Sequence, residues 1–82
     1  MNKKIFEVKY LGASNTKGSR IKIIDPLRGK SVVIPYNYRY NNTLEGAIDF
    51  FMTEKGLKKD DINYGELEKS YIIIIDNFSI EL

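Results

Sequence analysis

Four isoleucines in a row, Ile72 to Ile75, follow Tyr71 in a chain of 82 residues. β-branched side chains favour extended backbone, and successive side chains of a strand point to opposite faces. An unbroken run of this kind asks for burial on both faces, the environment of an interior strand. At an exposed edge the same residues would be an aggregation hazard. The chain is therefore expected to build a sheet with residues 71–75 inside it.

Other segments supply the neighbours. Residues 4–11 alternate with period two, with Phe6, Val8 and Tyr10 on one face and Ile5, Glu7, Lys9 and Leu11 on the other. Residues 20–24 place Ile21 and Ile23 inward and Arg20 and Lys22 outward, and residues 30–35 place Val32 and Ile34 on one face. Asp25-Pro26-Leu27-Arg28-Gly29 between them is a turn, because Asp-Pro starts turns and Gly accepts positive φ. These two segments form a hairpin.

A helix follows. Asn42 is the expected N-cap, with Glu45 three residues on closing a capping box. Leu44, Ala47, Ile48, Phe51 and Met52 recur at helical spacing as the buried stripe, and Gly56 ends the helix as its left-handed C′ residue. Gly46 inside the helix marks close packing on the sheet. Residues 62–69 read as strand or helical turn, with strand favoured, and Phe78-Ile80-Leu82 as a last short strand. The expected fold is α+β: one mostly antiparallel sheet of order β-β-β-α-(β)-β with one helix on a face, in a single domain spanning 1–82.

The chain contains no Cys and no His. That removes disulfides, thiolate nucleophiles, Cys-based zinc sites and any Ser-His-Asp or Cys-His triad. Asp60-Asp61 lacks the alternating oxygen ligands of a calcium loop and reads as a solvated turn. No enzyme activity, metal or cofactor is expected. The longest apolar run, 71–75, is far too short for a membrane span, so a cytoplasmic protein without membrane partners is expected.

The net charge of +2 conceals an asymmetry. Residues 1–40 hold nine Lys/Arg against two acids, and residues 41–82 hold four Lys against nine acids. Such an imbalance points to a polyanionic partner. Its densest part is Ser14-Asn15-Thr16-Lys17-Gly18-Ser19-Arg20, flanked by Lys9 and Lys22. Hydroxyl, amide and cationic donors around a glycine suit phosphate oxygens, although the spacing is not that of a P-loop. A solvated loop whose Asn and Ser satisfy their own backbone is the competing reading. Tyr36-Asn37-Tyr38-Arg39-Tyr40 reads as extended or turn-like, and an extended backbone would project the three tyrosines to one side. Tyrosines beside an arginine offer stacking platforms for unpaired bases. They equally suit a roof over a small core, the better reading for Tyr36.

The string Tyr10-Leu11-Gly12, Asn15-Thr16-Lys17-Gly18-Ser19-Arg20-Ile21-Lys22 and Pro35-Tyr36-Asn37-Tyr38 resembles a group of small uncharacterised proteins. They are carried by phages, plasmids and chromosomal cassette elements. The resemblance covers about the first half of the chain. It implies a role beside mobile-element replication genes, as a nucleic-acid-binding or polymerase-accessory protein.

Two functions follow as expectations. One is a nucleic-acid-binding module, for single-stranded DNA foremost. Lys9, Asn15, Thr16, Lys17, Ser19, Arg20 and Lys22 would hold phosphates, and Tyr38, Arg39 and Tyr40 would meet bases. The other is a protein–protein adaptor or inhibitor bound to a larger enzyme, such as a DNA polymerase or a defence nuclease.

Overall fold

The computed structural model describes residues 3–13, 18–37, 39–76 and 79–82. Five strands form one antiparallel sheet: β1 (Lys4–Leu11), β2 (Arg20–Asp25), β3 (Lys30–Pro35), β4 (Ile62–Glu66) and β5 (Tyr71–Ile75). Their spatial order is β3-β2-β1-β5-β4. One helix, α1 (Thr43–Glu54), connects the N-terminal meander to the C-terminal hairpin and packs over β1 and β2. The α+β expectation holds. Residues 62–69 divide into strand β4 and a tight loop closed by the Leu67 N–H donating to the Ser70 carbonyl at 2.8 Å.

Alternation fills the core. Phe6 and Val8 of β1, Ile21 and Ile23 of β2 and Ile73 and Ile75 of β5 point towards α1 and are fully buried. Leu44, Ala47 and Phe51 meet them from the helix, with the Phe6 and Phe51 ring centroids 4.8 Å apart. Each such aliphatic or aromatic side chain contributes about 1.5–3 kcal/mol by leaving water. Gly46 lets the helix come this close. A Cβ there would lie 2.8 Å from Tyr40 Cδ2 and closer still to Ile21 Cδ1.

The helix begins and ends as its residues dictate. Asn42 Oδ1 accepts from the Glu45 N–H at 2.8 Å. Gly56 takes φ 67°, and the N–H groups of Lys55 and Leu57 both donate to the Phe51 carbonyl. Met52, assigned to the buried stripe, is instead 39% exposed. It sits at the flank of α1 that faces away from β1 and β2, where the sheet offers only a groove. The expected last strand is likewise corrected. Residues 79–82 are not in a strand, and Ile80 and Leu82 pack as coil against the core. Phe78 lies outside the described residues.

One pair breaks the apolar pattern. Lys4 and Asp25 occupy inward positions on β1 and β2 and are 1% and 0% exposed, with Nζ and Oδ2 2.9 Å apart. Lys4 Nζ also lies 5.7 Å from the Phe6 ring centroid. Asp25 ends β2, and its Oδ1 accepts from the N–H groups of Leu27 and Arg28 at 3.1 and 3.2 Å. Its carbonyl accepts from Gly29, which has φ 68°, so one aspartate shapes the whole β2–β3 turn. Burial alone would raise the Asp25 pKa; the Lys4 ammonium and the two N–H groups outweigh it and hold the carboxyl below its usual value.

Among the described residues no helix lies on the opposite face of the sheet. β5 is interior in the strand order, as four isoleucines require, but Ile72 and Ile74 are only half-buried because they point to that open face. The expectation of burial on both sides is thus half met. A single helix covers only one face.

Candidate nucleic-acid interface

Register builds the open face row by row. Ile5 pairs with Ile74, and Glu7 lies between Ile24 and Ile72, so four isoleucines gather at one end. At the other end Lys9 lies directly opposite Lys22, and Arg20 sits two residues before Lys22 on the same face. Like charges placed across a strand pair repel and cost stability. Lys9 reaches Glu7 at 3.8 Å. Among the described residues neither Lys22 nor Arg20 forms an ion pair, and the Arg20 Nε is shielded from solvent without a hydrogen-bond partner. Lys9, Arg20 and Lys22, singled out from sequence, are thus brought together.

The other expected site residues do not all join them. Asn15, Thr16, Lys17 and Tyr38 lie outside the described residues. Ser19 is half-buried at the same end of the sheet, where its Oγ shares a 2.8 Å hydrogen bond with the Tyr10 hydroxyl. Its carbonyl accepts from the Tyr36 N–H at 3.1 Å.

Of the two forms open to this segment, the turn is the one found at Asn37, so Tyr36 and Tyr40 do not project together from a strand. Asn37 Oδ1 accepts from the Arg39 N–H and the Asn37 carbonyl from the Tyr40 N–H, both at 3.0 Å, so the chain turns. Tyr40 packs against the core and against Tyr36, at a centroid distance of 6.1 Å and near-perpendicular. Its hydroxyl donates to Asp49 Oδ2 of α1 at 3.0 Å. Burial, and then the bond to Asp49 and its charge, raise the Tyr40 pKa, with Arg39 partly offsetting them. Tyr40 is a roof residue, the competing reading at that position. Arg39 is exposed and lines a different groove, of about 640 Å³, with Leu44, Ile48, Met52, Lys59 and Tyr64.

An aromatic platform does exist at the same end of the sheet, on the helix-bearing face, where Tyr10 pairs with buried Ile21. Tyr10 follows Phe6 and Val8 in the alternation but is 53% exposed. Its ring meets Tyr36 edge-on at 5.8 Å. Tyr10, Gly18, Ser19, Arg20, Tyr36 and Tyr71 line one open cleft of about 800 Å³. The signal available in the sequence was a tyrosine at the end of an alternating strand followed by Leu11-Gly12.

Among the described residues no cluster of acidic side chains is arranged to hold a metal, and no helix is long and apolar enough to cross a membrane. No protein-family model, curated protein or solved structure matches the chain.

Proposed function

We infer that the protein binds single-stranded nucleic acid, DNA foremost, through the basic end of its open sheet face, as a non-catalytic accessory protein of replication. The observation that carries this reading is the like-charge row: Lys9 faces Lys22 across β1 and β2 with Arg20 beside them. The repulsion is relieved when phosphates lie over the row and the condensed counterions are released. Half-exposed Tyr10, on the other face at the same end of the sheet, offers a ring on which a base of a single strand passing round that end can stack.

Fluorescence anisotropy of a labelled oligothymidylate, titrated across salt, tests the reading. Binding is expected at low salt, weakening linearly in log–log form with a slope of about −0.7 per phosphate contacted. No affinity for DNA or RNA at low salt would refute it.

A second reading rests on the other end of the same face. Ile5, Ile24, Ile72 and Ile74 form an apolar cluster with Ile5 48% exposed, as an adaptor docked on a larger enzyme would present. That reading expects a stoichiometric protein partner whose capture survives nuclease and is lost in I72T/I74T.

A further inference from the structure

We propose that the cleft on the helix-bearing side of this end of the sheet, bounded by Arg20, is a single-nucleotide pocket, with the base stacked on the Tyr10 ring and the adjoining phosphate on Arg20. The inference rests on the single-strand reading and adds to it a specific subsite and a stacking residue.

Three features converge. Tyr10 is held rather than loose: its hydroxyl is bonded to Ser19 Oγ at 2.8 Å and its ring abuts Tyr36 at 88°. A ring fixed in this way loses little freedom when a base lands on it. Its neighbourhood is kept open by a glycine. A Cβ at Gly12 would lie 3.8 Å from Tyr10 Cε2, so any larger side chain there would spread over ring surface that is now accessible. Finally, Arg20 lines the same cleft with its Nε withdrawn from water and lacking an acceptor. Among the described residues its guanidinium forms no ion pair, which leaves its terminal N–H groups for a phosphate oxygen.

The cleft volume of about 800 Å³ lies within the range of small-molecule pockets and is ample for one nucleotide. Its lining joins three tyrosines and Arg20 to the hydroxyls and amides of Ser19, Asn41, Asn42 and Thr43, groups that suit the base, sugar hydroxyl and phosphate of one nucleotide. Because the base is read by its π-face, the pocket takes pyrimidines and purines alike.

The test uses the full chain, isotope-labelled for NMR, titrated with a short oligothymidylate and with an abasic strand of equal length. The thymidylate is expected to shift the Tyr10 and Tyr36 ring signals, and the abasic strand to leave them in place. Both strands are expected to move the Lys9 and Lys22 amides. Tyr10→Leu and, separately, Gly12→Val should each weaken thymidylate binding about tenfold, with abasic binding unchanged. Unmoved ring signals, or equal shifts with the two strands, overturn the pocket while the basic row stands. No shift anywhere with either strand overturns both.

Discussion

At the scale of single residues, the consequential positions are those where a local rule is broken. Lys4 and Asp25 are charges at inward-facing positions of alternating strands, and this was written in the sequence: Lys4 is in phase with Phe6 and Val8, Asp25 with Ile21 and Ile23. Reading Asp25 only as the start of a turn hid the pair. Asp25→Asn is expected to destabilise by about 3–5 kcal/mol in urea melts, because it takes the opposite charge away from a buried ammonium. Lys4→Met with Asp25→Leu should recover part of that loss, with the Leu27 and Arg28 N–H groups still lacking their side-chain acceptor. The acid limb of stability follows from the same group. The folded chain holds the Asp25 proton more weakly than the unfolded one. Its contribution is therefore complete above the ordinary carboxylate value of about 3.9 and is lost as pH falls through the lower folded value. Melting temperatures measured from neutral to acid pH should fall less steeply in the double variant; equal acid slopes would refute the assignment. Gly46→Ala should destabilise by about 1–3 kcal/mol despite its better helix propensity, since the added methyl meets Ile21 and Tyr40. Tyr40, by contrast, was not legible as a roof residue, because Asn37 decides between extended chain and turn through contacts that periodicity does not carry.

At the scale of elements, strand and helix boundaries followed from alternation, capping and turn chemistry. What the pattern could not reveal is which faces are covered. A run of isoleucines is equally at home between two layers or beneath one, and the tally of helices, not the strand itself, decides. The two phases of β5 should therefore differ in cost. Ile73→Ala and Ile75→Ala are expected to destabilise by about 2–5 kcal/mol, and Ile72→Thr or Ile74→Thr by less than about 1.5 kcal/mol. Equal costs in chemical denaturation would show that the open face is buried in solution. Loss of the cap in Asn42→Ala should cost about 1 kcal/mol.

At the scale of the whole molecule, strand order turns a charge imbalance along the chain into one across the fold. The basic N-terminal meander forms one lateral half of the sheet, and the acidic remainder supplies α1 and the β4–β5 hairpin. A site of like charges trades stability for binding. Lys22→Gln is expected to raise the unliganded protein's stability by about 0.2–1 kcal/mol while lowering the salt dependence of strand binding by about one phosphate contact. A Lys22→Gln protein that is neither more stable nor less salt-sensitive would count against the row as an anion site. The strand order has one more consequence, for the timing of synthesis. Of the five strands β1 leaves the ribosome first, and β2 and α1 reach it in turn, but its second strand neighbour is β5. Until Tyr71–Ile75 emerges, β1 carries a bare edge, and the pairing of Lys4 with Ile75 closes the sheet with residues from opposite ends of the chain. Closure is a late event of high sequence separation, and a nascent chain halted before Tyr71 is exposed to wrong pairing along the strand it made first.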